Sequence, residues 1–98
     1  MSTKVVPMTQ SMRDDLLASV TAFSHIMGVE YEMARRKFGP FDNAHEGYAV
    51  ILEEVEELWT YIKMKGSTND DMMAECVQIA TMAFAFVYEL LQGDENDG

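Results

Sequence analysis

The sequence predicts an all-α fold, a small antiparallel bundle of three to four helices that oligomerises. Apolar residues recur at helical spacing in three segments, and two short loops with Gly-Pro and Gly-Ser separate these segments. The length of 98 residues fits a single domain. A hydrophobic content of 48% is more than so small a monomer needs, so we expect apolar area to be buried against a second copy.

The first predicted helix follows a loose arm at residues 1–8, where Pro7 breaks any helical pattern. Thr9 or Ser11 can cap this helix, because a side-chain oxygen at that place accepts from a free backbone amide. Gly28 weakens the middle, so the segment is either one kinked helix or two short helices. Its apolar face consists of Leu16, Val20, Phe23 and Met27.

The second helix is predicted from about Ala44 to Met64, with Asn43 as cap. The third is predicted from near Asp70 to Gly93, with Thr68 or Asn69 as cap. Only about five residues join them, so they must pack antiparallel. The third is apolar nearly all round and should be the central helix. The single helical domain thus spans residues 9–93, and an acidic, disordered tail follows at 94–98.

Charge and composition exclude several classes of protein. A formal charge of −10 disfavours binding to a nucleic acid polymer, because phosphate backbones require basic surface. The longest apolar stretch, Val77–Leu91, is interrupted by polar residues and looks too short to span a membrane. The lone Cys76 cannot form a disulfide within the chain, and no signal-peptide pattern occurs at the start. We therefore expect a cytoplasmic protein.

Acidic residues border the core face of the second helix. At about 100° per residue, Glu54 and Glu57 lie beside the apolar stripe of this helix, and Glu53 lies next to Glu57 on the far side from that stripe. The third helix presents Glu75 and Gln78 on one face, since they are three residues apart. The apolar stripe itself consists of Ile51, Val55, Leu58 and Ile62.

Carboxylates that converge at a seam between helices repel one another, and a divalent cation relieves this repulsion. Mg²⁺ prefers oxygen ligands, so three glutamates and one amide oxygen can supply part of its coordination shell. Water and phosphate oxygens can take the other positions, which indicates metal-assisted attack by water on a phosphoanhydride. The alternative is that Glu53–Glu57 form the solvated face of an ordinary helix, and spacing alone leaves both interpretations open.

Three further residues are candidates for substrate binding: His45, Arg36 and Lys37. For Arg36 and Lys37 the alternative is that cations balance a helix C-terminus, and for His45 it is a solvated or capping role. Aromatic and aliphatic residues on one arc of the second helix are expected in the core or in a dimer interface. These are Tyr48, Leu52 and Trp59.

The acidic pattern also has a counterpart in known proteins. Residues Glu53–Glu57 read EEVEE, and Glu75 follows after 17 intervening residues. With the run KFGPFDNAHEGYAVILEEVEELW, this resembles the MazG-like all-α nucleoside triphosphate pyrophosphohydrolases, especially small phage and prophage members. The resemblance implies metal ligands at Glu54, Glu57 and Glu75, with Glu53 as a further carboxylate or the base that positions water. It also implies conversion of nucleoside triphosphates to monophosphates and pyrophosphate with Mg²⁺ or Mn²⁺, in a homodimer or homotetramer.

One position departs from that family's pattern, because Gln78 stands where the family has an aspartate. Its amide oxygen can coordinate a hard cation but carries no charge, so metal affinity should be lower. From the carboxylate pattern and the resemblance we predict a metal-dependent nucleotide pyrophosphohydrolase. The alternative is a non-catalytic nucleotide-binding or scaffold protein on the same fold. The sequence leaves base and sugar preference open.

Overall fold

The computed structural model describes residues 5–92, which contain helices and no strand. Helix α1 spans Gln10–Phe38, α2 spans Ala44–Lys63 and α3 spans Asn69–Ala85. A π-helical segment, Phe86–Gln92, continues α3 without a break. The prediction of an all-α fold is confirmed, with three helices. The first four residues of the predicted arm, the predicted helix end at Gly93 and the predicted tail lie outside the described residues.

Helix α1 is one continuous helix of 29 residues, which decides between the two interpretations of its middle. The Thr9 hydroxyl caps it by accepting from the Met12 amide over 3.1 Å. The helix ends at Gly39, whose φ of 73° is readily adopted only by glycine. All residues from Gln10 to Ile26 are exposed, so most of the predicted apolar face of this helix is uncovered in the single chain.

Side chains predicted as caps fix the starts of α2 and α3. The Asn43 side chain accepts from the Glu46 amide over 2.9 Å, as the sequence predicts. Thr68 and Asp71 form a capping box, in which each side chain accepts from the other residue's amide. The short connection between α2 and α3 places these two helices side by side, and they form the largest helix contact of the bundle.

Helix α3 is the central helix, because it contacts both α1 and α2. Among residues 5–92, four of the five buried residues outside glycine lie on it: Val77, Thr81, Met82 and Ala85. The fifth, Phe41, comes from the loop between α1 and α2. The buried Thr81 hydroxyl donates to the Val77 carbonyl over 2.7 Å, so burying it leaves no donor unpaired.

Gly47 allows α2 to approach the π-helical segment closely. A Cβ atom built at this position would lie 2.6 Å from Cδ2 of Phe86 and 3.2 Å from Cδ2 of Phe41. Neither ring can move freely, because both belong to or pack against the small core. This contact therefore depends on the absence of a side chain at position 47.

A largely buried ion pair ties the end of α1 to the π-helical segment. Arg35 donates from Nε and Nη2 to the Glu89 carboxylate, with 2.9 Å for the Nη2 bond. The Tyr31 hydroxyl and the Phe41 amide also donate to this carboxylate, over 2.6 and 3.0 Å. Burial alone would raise the pKa of Glu89, but these hydrogen bonds outweigh it and hold the pKa below its ordinary value.

Much apolar surface stays exposed in the single chain. The radius of gyration is 16.5 Å, against about 13 Å for a compact domain of this length. Tyr48, Leu52 and Trp59 are all exposed, so their expected place in the core of one chain is wrong. Their place in an interface between chains stays a prediction.

The run Asn69–Gln92 is long and apolar enough, by length and composition, to cross a membrane. This differs from the expectation for Val77–Leu91, because the helix extends further toward its N-terminus than that stretch. The central helix of a soluble bundle has the same properties, so the observation is weak evidence about a membrane.

Candidate metal centre and adjoining cavity

Three carboxylates meet where α2 packs against α3. One oxygen from each of Glu54, Glu57 and Glu75 lies within 4.8 Å of the other two. Glu54 and Glu57 share a face of α2 because they are three residues apart, and Glu75 faces them from the first half of α3. The expected convergence of these three side chains is therefore present in the structure.

The electrostatics of this carboxylate cluster are unfavourable without a counter-charge. Burial raises the pKa of Glu54 to about 7, helped by hydrogen bonding to Glu75 and by the charges of Glu57, Glu75 and Glu53. Burial and the nearby Glu75 also raise the pKa of Glu57. A raised pKa means that the folded chain resists ionisation here, so binding a proton or a cation would stabilise the cluster.

One oxygen in the cluster has no hydrogen-bond partner among the described residues. It is Oε2 of Glu75, and it is shielded from solvent. Buried carboxylate oxygens are nearly always satisfied by a donor or an ion, because leaving them unpaired costs about 1–3 kcal/mol or more. This atom therefore identifies the side of Glu75 at which a cation or a proton would be stabilised.

Gln78 lies one turn after Glu75 on α3 and contacts α1. Its Nε2 donates to Oε1 of Glu30, and both side chains are half-buried. An ionised carboxylate can only accept, so the contact fixes which end of the amide faces Glu30. Glu30 could not be identified from the sequence, because no helical spacing relates residues on α1 to residues on α3.

A cavity of about 480 Å³ adjoins the cluster, which is within the size range of small-molecule sites. Glu53, Glu54 and Gln78 line one part of it, and Arg35 supplies a cation. The remaining lining is mainly apolar, with one further acid, Glu46: Ala34, Phe38, Gly39, Phe41, Glu46, Val50 and Met82. Glu54 therefore belongs to both the cluster and the cavity.

The three residues predicted to bind substrate do not line this cavity. Arg36 pairs with Glu32 over 2.5 Å on the surface, and the Lys37 ammonium lies 5.2 Å from the centre of the Phe38 ring. His45 is exposed in the first turn of α2. Their role in substrate binding stays a prediction that the single chain does not test.

Arg35 is the basic residue that lines the cavity, although the sequence favoured its neighbours. One signal was available, because Glu89 is an isolated acid in an otherwise apolar stretch and therefore needs a buried partner. The partner itself could not be identified, since 54 residues separate the two in sequence.

Comparison with known proteins gives no match: no family model, no characterised protein and no solved structure matches this chain. The resemblance to MazG-like pyrophosphohydrolases rests on the motif alone. The carboxylate cluster and its cavity are therefore the observations that bear on function.

Proposed function

We propose that this chain is a MazG-like, metal-dependent nucleotide pyrophosphohydrolase. It would convert a nucleoside or deoxynucleoside triphosphate and water into the monophosphate and pyrophosphate. The observation that carries the proposal is the carboxylate cluster of Glu54, Glu57 and Glu75, set beside a cavity large enough for a nucleotide. Glu54 joins the two, so a bound cation and a bound phosphate would be neighbours.

The donor set fits a hard divalent cation. All three side chains offer carboxylate oxygens, and the partnerless Oε2 of Glu75 is a buried acceptor that a cation would satisfy. Gln78 offers an amide oxygen as a further, neutral ligand. Oxygen ligands with no nitrogen or sulfur favour Mg²⁺ or Mn²⁺ over softer metals. Such an ion supplies charge neutralisation for phosphate oxygens that would otherwise meet an acidic surface.

The chain's own residues have distinct tasks in this reaction. Glu53 is exposed and lines the cavity, so it can hold the attacking water and accept its proton. The water oxygen forms a bond to the α-phosphorus, the bond from that phosphorus to the bridging α–β oxygen breaks, and pyrophosphate leaves. Arg35, whose Nε and Nη2 already donate to Glu89, would offer its remaining guanidinium hydrogens to the phosphates. The rings of Phe38 and Phe41 offer apolar surface to the base.

A homodimer or homotetramer is part of the proposal. Exposed apolar side chains extend along α1 and over α2, as with Leu17, Trp59 and Ile62. Large exposed apolar patches on soluble proteins commonly mark interaction surfaces, and a stable interface buries about 800 Å² on each partner. The exposed free Cys76 fits a reducing cytoplasm, in a bacterium or a phage-infected host. The formal charge of −10 fits a protein whose partners include no nucleic acid polymer, and the proposal includes no membrane partner.

Gln78 favours a second candidate function, nucleotide binding without hydrolysis. Because Gln78 carries no charge, the centre has one anionic ligand fewer than the MazG-like pattern. The Gln78 amide nitrogen donates to Glu30. A chain that binds nucleotides without hydrolysing them would have the same cluster and cavity.

Pyrophosphate release from a panel of nucleoside and deoxynucleoside triphosphates with Mn²⁺ tests the proposal. Wild-type protein should release pyrophosphate from at least one of them, and Glu57→Gln should reduce release to background. Glu56→Gln is the matched control, because Glu56 is exposed on the same helix and lies outside the cluster. Nucleotide binding without release would favour the second function, and neither binding nor release would overturn both.

A further inference from the structure

We propose that Glu30 is a positioning residue, which turns the Gln78 amide so that its oxygen is available to the cation. This inference rests on the proposed metal centre and adds a residue from α1 to it. The contact that carries it is the hydrogen bond from Gln78 Nε2 to Glu30 Oε1.

The orientation of a glutamine amide decides which of its two ends faces a cation. A glutamine side chain has a donor nitrogen and an acceptor oxygen of nearly equal shape, so a half-turn exchanges them. Only the oxygen can ligate a hard cation, and the nitrogen would present its hydrogens to the positive charge. A neutral ligand at this place is useful only if something selects its orientation.

Glu30 makes that selection because an ionised carboxylate has acceptors and no donor. It holds the Gln78 nitrogen toward α1, and the amide oxygen therefore points away from Glu30. Partial burial of both side chains makes the hydrogen bond stronger than it would be in water.

The place of Gln78 on α3 completes the geometry. It follows Glu75 by three residues and so shares its face of the helix, and it lines the same cavity as Glu54. Glu30 is not one of the three carboxylates that lie within 4.8 Å of one another. It therefore acts through Gln78 and not as a ligand itself.

Calorimetric titration with Mn²⁺ at constant pH tests this role in four proteins. Glu30→Met keeps the length and apolar stem of the side chain but removes the acceptor, and should weaken Mn²⁺ binding about 10-fold, as the loss of groups that orient metal ligands commonly does. Glu30→Gln offers the Gln78 amide both a donor and an acceptor, so it no longer selects one orientation, and it should weaken Mn²⁺ binding by less than Glu30→Met does. Glu32→Met is the matched control, since it removes the same charge from an exposed site on the same helix.

A double-substitution cycle separates positioning from other effects. In a Gln78→Leu background the amide is gone, so Glu30→Met should cause no further loss of Mn²⁺ affinity. An equal loss in both backgrounds, or a loss in Glu30→Gln as large as in Glu30→Met, would show that the charge of Glu30 acts directly and would overturn the inference.

Two outcomes distinguish this inference from the proposed function. If the wild type binds Mn²⁺ and Glu30→Met binds it with the same affinity, the positioning role is overturned and the metal centre remains. Wild-type protein that does not bind Mn²⁺ overturns the metal centre and the positioning role together. Melting curves without metal show that each variant is folded, and Glu30→Ala repeats the test with a smaller side chain if Glu30→Met does not fold.

Discussion

Replacing Glu54 by glutamine should stabilise the protein when no metal is present. The pKa of Glu54 is raised from 4.5 to about 7, chiefly by burial and then by neighbouring carboxylates. Between these two pH values the unfolded chain loses its proton while the folded chain keeps it. The unfolded state therefore binds fewer protons, and the free energy of unfolding falls as the pH rises through this range.

The size of this effect follows from the same pKa. At about 1.36 kcal/mol for each pH unit, the span from 4.5 to about 7 sets an upper limit of about 3 kcal/mol. Glu54 is only partly buried, so solvent screening reduces the expected contribution to about 1–2 kcal/mol. For a domain of this length that corresponds to roughly 5–10 °C in Tm.

Urea denaturation with EDTA, at pH 5 and pH 8 and one protein concentration, measures this effect. Glu54→Gln should exceed the wild type in stability by more at pH 8 than at pH 5, and Glu56→Gln should show no such difference. With Mn²⁺ at pH 8 the order should reverse, because only the wild type gains from binding the ion. A Glu54→Gln variant whose stability relative to wild type is the same at both pH values would refute the electrostatic account of the cluster.

Three further predictions concern the fold and the assembly. Glu89→Gln should lower the free energy of unfolding by about 2–3 kcal/mol, because it leaves the largely buried Arg35 charge without its partner. The control Glu32→Gln removes an exposed pair and should cost less than about 0.5 kcal/mol. Equal losses for the two variants in urea denaturation would contradict this prediction. Gly47→Ala should lower the free energy of unfolding by about 1–2 kcal/mol in the same assay, because its Cβ meets the Phe86 ring and this outweighs alanine's better helix propensity. A stabilised variant would contradict the close approach of the two helices. Light scattering at micromolar concentration should give a mass at least twice 11.1 kDa, and a stable monomer would rule out the proposed oligomer.

Local signals in the sequence were enough to predict the helices and two of their caps. The side chains of Asn43 and Thr68 cap α2 and α3 as their positions before apolar segments indicate. The convergence of Glu54 and Glu57 with Glu75 also followed from helical geometry, because one short loop fixes how α2 and α3 face each other. A π-helical continuation after Ala85 leaves no comparable mark in the residue pattern.

Contacts made by α1 could not be predicted in the same way. The pairs Glu30–Gln78 and Arg35–Glu89 are 48 and 54 residues apart, and they depend on where α1 crosses α3. No loop length or helical period determines that crossing. The choice between core and interface for Trp59 stayed open for a related reason, since hydrophobicity indicates that a side chain prefers burial but not whether its own chain provides the partner.

Binding of Mn²⁺ to the carboxylate cluster is the most direct test of the account. Electron paramagnetic resonance detects free aqueous Mn²⁺, so a titration at pH 7.5 gives the affinity and the number of ions bound by each chain. The account predicts saturable binding to the wild type and to Glu56→Gln, with affinity reduced at least about 10-fold in Glu75→Gln, which removes one anionic ligand of the cluster. Identical binding curves for wild type and Glu75→Gln, or no binding to the wild type, would contradict the account.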